Sequence, residues 1–189
     1  MKRTLFLLLA VLLGAGCGSS KKTTSTTPIR VLPDAKTADE WAVRVVNIFF
    51  RPLNKDLGVV SGFNVPQIRL YIASQNPTTL RIIRTRMNDL KRCSAKLVQI
   101  GPPPKGDPRL QQIDRGLQRA CVDYEKIADV LQRATPFLAS GRADVVSRGE
   151  DMLRSVKDES GRAGNNFAAA VRTAQKVPAF RRAGLKPSV

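Results

Sequence analysis

The sequence contains no histidine, and it has one tryptophan, two tyrosines and three cysteines in 189 residues. Without histidine the chain lacks the commonest general base and the usual ligand of zinc and copper sites. The c-type haem attachment motif also requires histidine, so this cofactor is excluded. We therefore expect no catalytic, cofactor-binding or metal-binding residues, and we expect the protein not to be an enzyme.

The acidic residues do not suggest a catalytic pair either. Glu150-Asp151 and Asp158-Glu159 are interleaved with basic residues at helical spacing. Side chains three or four positions apart on a helix meet and form ion pairs. The sequence therefore predicts solvated, salt-bridged helix faces, and an enzyme would require these carboxylates in a cleft.

The chain also lacks an apolar run long enough to span a membrane as a helix, which takes about 20 residues. Its apolar run near the start, Leu5 to Leu13, follows Lys2 and Arg3 and precedes small residues. This layout is typical of a cleaved secretory signal, which we place at residues 1–16. The glycines around Gly16 then provide small side chains for a peptidase and do not form a phosphate-binding loop.

Cys17 directly follows Gly14-Ala15-Gly16, and this arrangement resembles the lipobox of bacterial lipoproteins. The family pattern prefers leucine three positions before the cysteine, whereas this chain has Leu13 one step earlier. The resemblance covers residues 1–17 only. It implies that Cys17 is lipidated and that the protein is extracytoplasmic, anchored to the cell membrane or outer membrane. The alternative is an ordinary cleaved signal, which would release a soluble protein.

Residues 17–36 are predicted to form the lipidated cysteine and a disordered tether. The segment Gly18 to Thr27 is polar and low in complexity, so it cannot form a packed core. Lys21 and Lys22 would lie near the bilayer, where each basic residue contributes roughly 1 kcal/mol on an anionic surface. The tether would allow the domain to clear the lipid headgroups.

Residues 37–178 are predicted to form an all-α domain, an antiparallel bundle of about four helices. Apolar residues recur there at helical spacing, and the longest stripe runs from Leu110 to Leu138. Residues 63–75 alternate like a strand but also fit a short helix, and we expect a short helical or irregular connector there. Residues 179–189 are expected to be a frayed tail. The predicted helix starts are Thr37-Ala38-Asp39-Glu40, Asn76-Pro77 and Asp107-Pro108, and the predicted breaks are Gly101, Ser140-Gly141 and Pro178.

Single aromatic residues on apolar helix faces are predicted to belong to the core, namely Trp41, Tyr71 and Tyr124. The small residues Ser160, Ala163 and Gly164 share one face of the last predicted helix. They would allow a close helix approach, or they would leave room for a bulky partner or a ligand.

Lipidation of Cys17 leaves Cys93 and Cys121, an even number in an oxidising compartment. Each lies on the apolar stripe of its helix and is expected to face the core. We predict a disulfide between them, with buried free thiols as the alternative. A loop of this length would stabilise the fold by about 3 to 4 kcal/mol in the chain-entropy model.

Lysine and arginine outnumber the acidic residues by 32 to 15, which gives a formal net charge of +17. In a cytosolic protein this excess would suggest nucleic acid. For an exported protein we expect no nucleic acid, and anionic lipids or wall polymers become the candidate partners. The candidate contacts are Arg81, Arg84 and Arg92, on a helix with few acidic residues. The alternative is a basic surface that serves solubility alone.

From about Leu80 to Gly141 the chain is also similar, loosely, to small helical extracytoplasmic lipoproteins of unknown function. This similarity implies no activity. The first hypothesis is a non-enzymatic module of the cell envelope with a binding or structural role, whose protein partner is not identified. The second is a carrier of a small ligand, held in a cavity of the bundle near Ser160 to Gly164.

Overall fold

A computed structural model describes residues 30–53, residue 70 and residues 72–186. Within these ranges the secondary structure is helical and contains no strand, which confirms the all-α class. The predicted signal, Cys17 and most of the predicted tether lie outside the described residues, as do Tyr71 and most of the connector 63–75.

The described residues form a series of helices numbered here in chain order. The first helix, Ala38–Arg44, continues without a break into a π-helical stretch, Val45–Phe50, and the backbone stays helical to Leu53. Among the described helices, none is both long and apolar enough to cross a membrane. The helices are α1 (Ala38–Arg44), α2 (Pro77–Lys91), α3 (Cys93–Ile100), α4 (Pro108–Leu138), α5 (Ala143–Arg154), α6 (Lys157–Gln175) and α7 (Pro178–Arg182).

The predicted helix starts carry the expected caps. The Thr37 hydroxyl accepts from the Glu40 N–H at 3.2 Å, and the Asp107 carboxylate accepts from the Arg109 N–H at 2.9 Å. The Asn76 side chain accepts from two backbone N–H groups at the start of α2. Each cap satisfies an amide that has no partner inside its own helix, so these starts are set by local sequence.

The second and fourth predicted helices are each broken in two, so the described helices exceed the predicted number of about four. The breaks lie at Arg92, with φ −101° and ψ 17°, and at Val156, with φ −110° and ψ 17°. At the first break the Ser94 N–H donates to a carboxylate oxygen of Glu125 on α4 at 2.7 Å. A side chain distant in sequence therefore caps α3.

Helix α4 is the centre of the fold and packs against α2, α3, α5 and α6. Its predicted apolar stripe from Leu110 to Leu138 is buried, as expected from its spacing. Tyr124 lies in this stripe, and burial raises the pKa of its hydroxyl to about 12. A smaller cluster near the far end of α4 joins α2 and α5 through Ile83, Met87 and Leu153.

The C-terminal segment packs on the core through Ala179 and Phe180, whereas residues 179–189 were expected to form a frayed tail. Phe180 of α7 is 0% exposed, and its ring meets that of Trp41 edge to face, with centroids 5.7 Å apart. The Trp41 Nε1–H donates to the Gly101 carbonyl at 3.1 Å. Pro178 begins the short helix α7, which packs against α1 and so places Phe180 beside Trp41.

The small residues of α6 that were expected to leave room for a partner lie mostly on its exposed side. Ser160 and Gly164 are exposed, and a Cβ atom added at Gly164 would meet nothing within 4 Å. Only Ala163 of this group is buried. The close approach to α4 lies further along α6, where Ala170 faces Gly116.

Candidate anion-binding surfaces

The α2–α3 segment is tied to α4 at three points. Cys93 and Cys121 form the predicted disulfide, with their Cα atoms 5.2 Å apart, so buried free thiols are excluded in this structure. The Ser94 amide is held by Glu125, as described above. The Lys91 ammonium pairs with Asp129 at 2.9 Å. These contacts place the exposed side of α2 and α3 firmly on the domain surface.

Arg81, Arg84 and Arg92 are exposed, as predicted, but they do not converge on one pocket. Arg84 borders a hollow of about 510 Å³ between α2 and α4, which is also lined by Leu80 and Met87. Arg92 borders a separate recess on α3. Within the described part of the chain, no ion pair engages any of the three arginines. Together they form an open basic face, which we call the α2–α3 face.

The recess at Arg92 lies beside the N-terminal segment of the described chain. Its lining also includes Asp89, Lys96 and Gln99, so one carboxylate shares the recess with the basic side chains. The Leu32 N–H donates to the Gln99 carbonyl at 3.2 Å. The Arg44 guanidinium fastens the next residues by donating to the carbonyl oxygens of Pro33 and Ile100. The segment that leads towards Cys17 therefore joins the domain at the C-terminal end of α3, about 10 Å along the helix from Arg92.

Three of the four carboxylates that sequence patterns could assign to catalysis are engaged in ion pairs, namely Glu150, Asp151 and Glu159. Arg154 pairs with Asp151 at 2.7 Å and with Glu150 at 3.6 Å. Glu159 pairs with Lys126 of α4 and with Arg162. The hydrogen bond from Lys126 lowers the pKa of Glu159. Among residues 30–53, 70 and 72–186, no group of acidic residues or cysteines has the geometry of a metal site.

Glu159 differs from the sequence prediction because it is only 9% exposed, whereas a solvated face was expected. Its partner Lys126 lies on α4, so the ion pair crosses between helices. Arg162 bridges the same two helices through Asp123 at 3.2 Å. These pairs fix α6 antiparallel to α4, and they are structural.

A basic groove between α4 and α6 was missed by the sequence analysis. It has a volume of about 490 Å³ and is lined on α4 by Arg109, Arg115 and Arg119. The available signal was the spacing of these arginines on the side of α4 away from its apolar stripe. That spacing indicates a groove only when the position of α6, which forms the opposite wall, is known.

Two grooves flank the first half of α4. The basic groove lies towards α6, and an apolar hollow of about 420 Å³ lies towards α3, lined by Leu97, Val98 and Val122 among others. Comparisons with protein-family models, curated proteins and solved structures find no match. What each surface can bind therefore has to follow from its own side chains.

The apolar hollow is open, and its lining includes the carboxyl of Asp114. Val98 and Val122 are 59% and 65% exposed on its sides. Asp114 also lines it, and burial raises the pKa of this carboxyl, while Arg115 opposes the shift. The hollow is remote in sequence from Ser160 to Gly164, where a ligand cavity was predicted.

Proposed function

We propose that this protein is a lipid-anchored extracytoplasmic lipoprotein, a non-enzymatic module of the cell envelope. Its lipid is attached at Cys17, and its α2–α3 face contacts the anionic headgroups of the membrane that holds it. The observation that carries this proposal is the position of the N-terminal segment. The Leu32 N–H donates a hydrogen bond to the Gln99 carbonyl, and Gln99 lines the same recess as Arg92.

The geometry supports a membrane contact because the tether restricts how far the domain can move from the bilayer. If Cys17 is lipidated, the segment from Cys17 to Leu32 spans at most about 50 Å when fully extended. A surface beside the attachment point meets the membrane most often. Basic residues near an anionic leaflet are attracted to it within a Debye length of about 8 to 10 Å.

The charge of the face also fits this role. Arg81, Arg84 and Arg92 are exposed and have no ion partner among the described residues. Many other surface arginines are paired, such as Arg142 with Asp144 and Arg182 with Asp39. Unpaired guanidinium groups can bind phosphate oxygens through two parallel N–H donors. A lipid anchor and a basic patch together give stable attachment.

Replacement of Cys17 by alanine is expected to abolish labelling of the protein by a fatty-acid probe in cells. The variant should also leave the detergent phase on phase separation, because it has lost its acyl chains. Ser19→Ala is the matched control, since it lies two residues after Cys17 and leaves this cysteine unchanged, so labelling should be retained. Persistent labelling of the Cys17 variant would rule out this site.

The membrane contact is tested separately with the Cys17→Ala chain and vesicles that contain phosphatidylglycerol. Replacing Arg81, Arg84 and Arg92 by glutamine should weaken vesicle binding roughly a hundredfold, because each basic residue near the surface contributes about 1 kcal/mol. The folding of this variant should be unchanged, since all three side chains are exposed. Co-sedimentation at increasing salt measures both effects.

The control variant carries the same change in charge at Lys105, Arg148 and Lys157, which are exposed elsewhere. It should bind the vesicles nearly as well as the parent chain. An equal loss in both variants would show that only net charge matters. Salt-insensitive binding would also contradict the proposal, because exposed charges are screened.

A further inference from the structure

The groove between α4 and α6 is a second basic surface, separate from the α2–α3 face. Its α4 wall contains Arg109, Arg115 and Arg119, which extend over about 15 Å of helix at 1.5 Å per residue. Its α6 wall contains Asn166 and Thr173. No aspartate or glutamate lines this groove. An anion within it would meet positive charge on one side and neutral polar groups on the other.

The arginines of the groove differ in availability. Arg109 is held by Asp107 through three hydrogen bonds from its guanidinium, and this contact raises the pKa of Arg109. Arg115 and Arg119 are exposed and make no ion pair within the described ranges. They lie four positions apart on one helix face, where Cβ atoms are about 5 to 6 Å apart. The guanidinium groups of Arg115 and Arg119 can therefore bind two neighbouring anionic groups of one ligand.

The floor of the groove is formed where the two helices approach most closely. A Cβ atom added at Gly116 would lie 3.2 Å from the Ala170 Cβ and 3.5 Å from the Asn166 carbonyl oxygen. Because both residues are small, the arginine side chains rise above a shallow floor. The result is a trough with long basic side chains along one edge.

We propose that this trough binds a single strand of a phosphate-bearing polymer, with Arg115 and Arg119 holding successive phosphates. Arginine matches phosphate geometry because its fork presents parallel N–H donors. Gln112 and Asn166 add amide donors from the two walls. Retention of such a polymer would be a further activity, and it does not depend on the lipid anchor.

The shape and composition of the trough favour a strand over other phosphate carriers. A flat bilayer surface contacts protruding residues more readily than the floor of a groove between two helices. Sequence-tolerant binding of single-stranded nucleic acid relies on aromatic side chains that stack with bases. The lining of this trough contains no aromatic residue. A phosphate polymer without bases fits these features best.

The test uses the purified full chain and short linear inorganic polyphosphate, with affinity measured by isothermal titration calorimetry. Changing both Arg115 and Arg119 to glutamine should weaken binding about tenfold, and should reduce the slope of log affinity against log salt by about 1 to 2. Ala169→Phe should also weaken binding, because Ala169 is exposed on the α6 wall and a larger side chain fills the trough without altering charge.

The matched control replaces Arg148 and Lys157 by glutamine and should retain the parent affinity. Circular dichroism melting should be the same for all of these variants, since each altered side chain is exposed. Equal losses in the trough variant and the control would overturn the proposal, as would full retention in Ala169→Phe. Equal affinity for polyglutamate would overturn the assignment to phosphate. Binding only to phosphatidylglycerol vesicles would assign the arginines to the membrane instead.

Discussion

Replacing both Cys93 and Cys121 by alanine is expected to lower the free energy of unfolding by about 3 to 4 kcal/mol in the chain-entropy model. The disulfide closes a loop with a sequence separation of 28, and its loss frees the unfolded chain. Both cysteines are fully buried, so the alanines also leave small cavities. Urea unfolding followed by circular dichroism measures the difference.

Reduction provides the matched control for this prediction. A reducing agent should destabilise the parent chain by a similar amount and leave the double variant unchanged. Loss of helical circular dichroism signal on reduction is a second readout. Helix α3 is short and is joined to α4 by the disulfide and by the Glu125 contact. If complete reduction of the disulfide leaves the stability of the parent chain unchanged, the bridge does not contribute as stated.

Truncation of Phe180 to alanine is expected to cost about 3 to 5 kcal/mol, as is usual for a fully buried aromatic residue. Its ring packs against Trp41 and Phe50 in the main core. A frayed tail, which the sequence predicted, would tolerate this change with almost no effect. Chemical denaturation of the variant therefore distinguishes a docked C-terminal segment from a free one.

Arg182→Ala is the control on the same short helix. Its guanidinium makes a bidentate contact with Asp39, and the side chains are 64% and 54% exposed. Exposed ion pairs contribute about 0 to 1 kcal/mol, so this variant should be only slightly destabilised. A small effect at Phe180 together with a large effect at Arg182 would contradict burial as the source of stability.

The all-α class, the starts of α1, α2 and α4, and the long buried stripe of α4 follow from the sequence alone. These features depend on contacts within a few residues. Asp107 caps its own helix, and the spacing of apolar residues from Leu110 to Leu138 defines one face. The exposure of Arg81, Arg84 and Arg92 was predictable for the same reason, since none falls on the apolar stripe.

Tertiary structure decided the features that join residues distant in the chain. The break at Arg92 is stabilised by Glu125 from another helix, and Phe180 is buried because it packs against Trp41, which lies far from it in the sequence. The basic groove exists only where α6 crosses α4 at Gly116 and Ala170. Helical periodicity defines which face of one helix is apolar, but it carries no information on which helix will cover its flanks.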